Sequence, residues 1–191
     1  MFSLTRFTDE TIREHLARQA RQPFSYAEVG ASNDPSPPPG YTIDHNRVLL
    51  GHGASVFERA CDALRRWEMF NLGWVQLCWP STPIAVGATV GVLVYVLRLW
   101  SLNACRVVYT LDDEGEVKLF GFAYGTLPDH AERGEERFSI QWERRNDSVW
   151  YDLRALSRPH LVVSRIGYPY TRRLQRRFAA ESLKAMVRAA T

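Results

Sequence analysis

Two periodicities divide the chain. Around Ile12, Leu16 and Ala20, and again around Phe57, Cys61, Leu64 and Trp67, apolar side chains recur at the three- or four-residue spacing of one helix face. Thr8, followed by Asp9 and Glu10, is placed to cap the first helix, which is predicted to run to about Arg21. Ser55 and Glu58 have the spacing of a capping box, so a second helix is predicted from there to about Phe70, ending before Gly73. Between the two, Ala31–Gly40 is crowded with proline and belongs to neither helix nor sheet.

From Val75 to Leu156 the period falls to two. Val90, Val92, Val94 and Val96 alternate with Gly91, Leu93, Tyr95 and Leu97, and both sets are largely apolar, as in a central strand covered on both faces. Cys105, Val107, Tyr109 and Leu111 share one face of the next strand. Phe120, Phe122 and Tyr124 share another, then Phe138, Ile140 and Trp142, then Val149, Tyr151 and Leu153. Asp112–Gly115 and Arg144–Asp147 are turn sequences short enough to require antiparallel hairpins. After Pro159 and Pro169 a long helix is predicted from about Thr171 to Ala190. Leu174, Phe178, Leu183, Met186 and Val187 lie on its apolar side, with Arg173, Arg177, Lys184 and Arg188 opposite.

This order predicts an α+β protein of helix-grip type, a curved antiparallel sheet wrapped around the long C-terminal helix. The expected division is an N-terminal helix and Pro-rich loop over residues 1–40, followed by the helix-grip domain over 41–191. Such an arrangement often leaves a cavity between sheet and helix.

Composition narrows the classes. With 191 residues, 46% hydrophobic and 24% charged, the chain suits one folded domain with a substantial core. Cys61, Cys78 and Cys105 are odd in number and widely spaced, so buried thiols in a cytoplasmic protein are expected rather than a disulfide framework or a zinc site. The first ten residues lack the apolar core of a secretion signal. The longest apolar run, from Ile84 to Leu97, is too short and too rich in valine and glycine for a membrane-spanning helix, so no membrane span is expected. Gly51-His52-Gly53 before a helix has no third glycine, Val56 standing in its place, and no cofactor is expected.

The densest chemistry lies between Tyr124 and Phe138, where Pro128 and Gly134 bracket a loop holding His130, Glu132, Arg133, Glu135, Glu136 and Arg137. His130 with Glu132, Glu135 and Glu136 could serve acid–base catalysis or bind a cation. A structural hairpin with internal ion pairs is the competing reading, because strand alternation sends Glu135 and Glu136 to opposite faces. The spacing is not that of a known metal site.

Three blocks carry a family resemblance: Leu50-Gly-His-Gly53 with Phe57-Glu-Arg-Ala60 and Trp67; Tyr124-Gly-Thr-Leu-Pro128 through His130 to Gly134-Glu-Glu-Arg-Phe138; and Ser157-Arg-Pro159 with Arg172, Arg173, Leu174-Gln-Arg-Arg-Phe178 and Ser182. Spanning residues 48–186, they resemble the uncharacterised domain-of-unknown-function family nineteen-ninety. That family is similar to START-like helix-grip proteins that bind lipids and polyketides. The resemblance implies an interior pocket and no defined activity.

The aromatic sheet positions Tyr95, Tyr109, Phe122, Tyr124, Trp142 and Tyr151, with Trp150, are the candidate walls for a small hydrophobic or amphipathic ligand; a filled aromatic core is the alternative. An enzyme using His130 and a nearby Glu is the second reading. The third is a nucleic-acid or anionic surface on the basic C-terminal segment, where seven cations from Arg165 onward face Glu181 alone. No nucleic-acid module accompanies that segment.

Overall fold

Alternation beyond residue 75 yields what it predicts, a run of antiparallel strands joined by short turns. The computed structural model describes residues 1–159 and 168–191; Arg165 of the basic segment lies outside them. In chain order the elements are β1 (Phe2–Ser3), α1 (Asp9–Gln19), a 3-10 turn (Ala31–Asn33), β2 (Thr42–His52), α2 (Ala54–Arg65) and a second 3-10 turn (Glu68–Phe70). They continue with β3 (Val75–Leu77), β4 (Thr89–Val96), β5 (Leu99–Glu114), β6 (Val117–Thr126), β7 (Glu132–Glu143), β8 (Ser148–Pro159) and α3 (Tyr168–Ala190). The sheet order is β2-β8-β7-β6-β5-β4-β3, antiparallel throughout, with β1 pairing separately with β5. This is the helix-grip arrangement: a curled sheet presents one face to α3.

The inner face is packed by α2, the second 3-10 turn and α3 together. Trp67, Phe70, Phe122, Phe138 and Tyr151 are all nearly or fully buried there, alongside Phe57, Leu64 and Met186. Trp67 meets Phe122 edge-on at 4.7 Å between ring centroids, and Phe122 stacks on Phe138 at 5.3 Å. Two hydrogen bonds tie α3 into this layer. The Tyr151 and Ser182 hydroxyls meet at 3.0 Å, and Arg59 Nε donates to the Ala190 carbonyl at 2.8 Å.

Three expectations change. Thr8 caps α1 as predicted, its hydroxyl accepting from the Thr11 N–H, but Ser55 does not cap α2. Gly53, at φ 89°, is the N-cap, so Ser55 already lies inside the first turn. The helix also stops at Arg65 rather than Phe70: Trp67 takes a left-handed conformation at φ 58°, which turns the chain so that Trp67 and Phe70 both enter the core. Finally, β4 lies one strand from the sheet edge, covered there by the three-residue β3. Its two apolar faces have another cause. Val90 and Val92 face the inner core, whereas Leu93 joins Leu102, Ala104 and Leu127 beneath Ile12 and Leu16 of α1 on the outer face. Both faces of this strand are therefore covered, the outer one by α1, while β3 and β5 flank it within the sheet.

Candidate functional site

Where the aromatic packing stops, a cleft of about 210 Å³ opens between the inner sheet face and the first turns of α3. Phe70, Trp74, Val92, Val94, Leu174 and Phe178 supply apolar wall. Thr126, His130, Glu132, Glu136 and Gln175 supply polar groups. For scale, an apolar cavity of roughly 150 Å³ holds one benzene-sized molecule.

The even-numbered residues of β7 build the polar end. Glu132, Glu136, Phe138 and Ile140 project to the inner side, Phe138 and Ile140 into the core and the two carboxyls into the cleft. Glu136 accepts from the Tyr124 hydroxyl at 2.5 Å, the two residues being register partners across β6 and β7. Burial pushes the Glu136 carboxyl up to about 7, against the lowering effect of the Tyr124 hydrogen bond and with a smaller push from Asp44. Glu132 is likewise raised to about 7 by burial, with Arg172 drawing it partly back. The His130 imidazole turns to its own loop, Nδ1 accepting the Glu132 backbone N–H at 3.0 Å. Arg172 on α3 holds Asp44 on β2 in a two-pronged contact at 2.5 and 2.6 Å, and its Nη1 also donates to the Gln175 side chain. This clamp fixes the first turn of α3 over the sheet beside the cleft.

Glu135 has a different role from the acid–base one considered for it. Its carboxylate accepts the Tyr26 hydroxyl at 2.8 Å, the Gly30 N–H at 2.5 Å and the Ser32 N–H at 2.9 Å. The carboxylate thus anchors the start of the Pro-rich loop and the segment before it onto the sheet through three donors. Gly125, its register partner, makes room for that anchor: a Cβ there would sit 2.0 Å from the Tyr26 hydroxyl oxygen. The Tyr-Gly-Thr and Gly-Glu-Glu parts of the middle sequence block therefore join a loop anchor on one face to a carboxyl pair on the other.

The aromatic positions scatter. Tyr124 alone of the six lines the cleft. Phe122 and Tyr151 are core residues, fully enclosed. Tyr95 is 40% exposed and packs on Trp100, and Tyr109 bonds the Ser32 hydroxyl at 2.6 Å. Trp142 packs on Phe57 and donates to Asp147 near the β7–β8 turn, while Trp150 lies under Arg47. Sequence reasoning also missed Phe70, Trp74 and Val94, which reach the cleft, and Asp44 and Arg172, which clamp α3 beside it. Glu136, already part of the charged candidate stretch, shares the inward parity of the core residue Phe138.

Among the described residues no cluster of three or more His, Cys, Asp or Glu side chains is arranged to hold a metal. All three cysteines are buried free thiols, and burial raises each. No described helix is long and apolar enough to cross a membrane.

The sequence model of a domain of unknown function, DUF1990, matches residues 25–185. The chain belongs to this family. A UPF0548 protein of Dictyostelium discoideum is 34% identical over 99% of this chain and 95% of its own length. Another, from Deinococcus radiodurans, is 38% identical over 100% and 99%. Among solved structures, a hypothetical protein of Helicobacter pylori, jhp0584, shares the fold with a TM-score of 0.53 at 9% identity, covering 83% of this chain and 92% of that one. The family match begins at residue 25, so it takes in Tyr26, Gly30 and Ser32, the residues that Glu135 anchors.

Proposed function

We propose that this family member binds a small, largely apolar molecule in the cleft between its sheet and α3. The observation that carries this reading is an apolar-walled recess with its polar groups gathered at one end, the composition of a ligand site rather than of a packing defect. Native mass spectrometry of the chain purified from a cell extract tests it. A bound small molecule is expected in the wild type and not in Val94→Trp, whose indole would fill the recess. Protein that never carries an adduct, in extract or after incubation with small apolar compounds, counts against binding.

A second reading is acid–base chemistry on the bound molecule. It is favoured by two carboxyls, Glu132 and Glu136, held near 7, where a group can both give and take a proton at neutral pH. Tyr124 and His130 adjoin them, whereas Glu135 is committed elsewhere. Under this reading Glu136→Gln retains a bound compound that the wild type converts, so the two proteins would release ligands of different mass. Identical released ligands would leave binding alone.

A further inference from the structure

Glu132 does not fit the pattern of its neighbours. It is only 8% exposed, it lines the cleft, and neither carboxylate oxygen receives a hydrogen bond from any described residue. Buried carboxylates are ordinarily paired or hydrogen-bonded, because an unpaired one forfeits its hydration without return. Nearby acids follow that rule. Glu136 has the Tyr124 hydroxyl, Glu135 has three donors, and Asp44 has the Arg172 guanidinium.

Neighbouring donors are directed elsewhere. The guanidinium nitrogens Nη1 and Nη2 of Arg172 point to Asp44 and Gln175, and Tyr124 points to Glu136. The backbone N–H of Glu132 itself is taken by His130. Among the described residues both Glu132 oxygens are therefore left as open acceptors at the polar end of an apolar-walled cleft.

We infer that the cleft's ligand is a compact amine, its protonated nitrogen seated against Glu132 and its hydrocarbon part against Val92, Val94 and Phe178. The inference rests on the reading of the cleft as a ligand site and names the chemistry of its occupant. An ammonium carries three N–H donors and no acceptor, which is the complement of the two open acceptor oxygens of Glu132. Its bonds to them are charge-assisted and strengthened by the low dielectric of a buried site. An anionic ligand would place a further negative charge beside Glu132 and Glu136, and a neutral alcohol would satisfy one lone pair only. The nitrogen-15 titration of the intact chain near neutral pH with benzylamine, benzyl alcohol and benzoate, compounds of one size and three charges, decides the matter.

Benzylamine is expected to shift the amides of Val92, Val94, Glu132 and Gln175 and to bind at least roughly tenfold more tightly than benzyl alcohol. Glu132→Gln, nearly the same shape, is expected to reduce that preference to about threefold or less. Benzoate or benzyl alcohol binding as tightly as the amine, or an undiminished amine preference in Glu132→Gln, would overturn the amine assignment and leave the cleft as a ligand site of other chemistry. Failure of all three to shift cleft amides at about 20 mM would overturn both readings. The comparison among the three compounds uses wild-type protein and stands whether or not the variant folds.

Discussion

At the scale of single residues, β7 separates structural from site chemistry by parity. Glu135 lies 3% exposed among three donors, so Glu135→Ala is expected to strand the Tyr26 hydroxyl and two backbone N–H groups. The cost is about 3 kcal/mol or more, read by urea denaturation; a loss below about 1 kcal/mol would show that the anchor is dispensable. Glu132 and Glu136 carry a pH signature of opposite sense to the usual carboxylate. Their folded-state values, raised from 4.5 to about 7, mean that the folded chain holds more protons than the unfolded one between those limits. Their contribution to stability is therefore fully present below about pH 4.5 and is lost as pH rises through 7. Replacing both with Gln is expected to flatten that fall by on the order of several kcal/mol, read by urea denaturation across the interval; an unchanged slope would place the titration elsewhere.

Between elements, α3 is held by contacts of different chemistry. Arg172 clamps Asp44 near its start, Glu181 accepts from the Trp74 indole at 2.6 Å while Arg177 covers that ring, and Ser182 meets Tyr151. The last contact is sealed, with both residues fully buried. Ser182→Ala is expected to cost about 1–3 kcal/mol by leaving a buried phenol unpaired, and the added Tyr151→Phe change to recover most of it. Additive losses in the double variant would argue against the pairing. Asp44→Asn loosens the other end. Faster amide exchange is expected over residues 172–176 with little change near Ala190, and an even rise along the helix would mean that the clamp is not local. These contacts also bear on the basic surface. Arg172 and Arg177 are engaged with Asp44 and Glu181, so part of the cationic run is internal structure rather than a free phosphate-binding face.

Taken whole, the molecule fills one part of its curled sheet and leaves another open. Aromatic side chains from α2 and the second 3-10 turn occupy the part under β6, β7 and β8, so the cleft persists only near the start of α3. The sequence by itself determined the class, the antiparallel meander, the closing helix and the family, because strand alternation, turn chemistry and the three sequence blocks are local patterns written in consecutive residues. It also located the charged stretch that contains Glu132 and Glu136. It could not say which aromatic residues pack and which line space, since Phe122 and Tyr124 share one strand face and separate only through what α2, Trp67 and Phe70 bring against them. Nor could it show that Glu135 is spent on residues more than a hundred positions earlier, or that Arg172 reaches Asp44 across the fold. Those outcomes depend on distances between segments remote in the chain, and only the packed tertiary structure sets such distances.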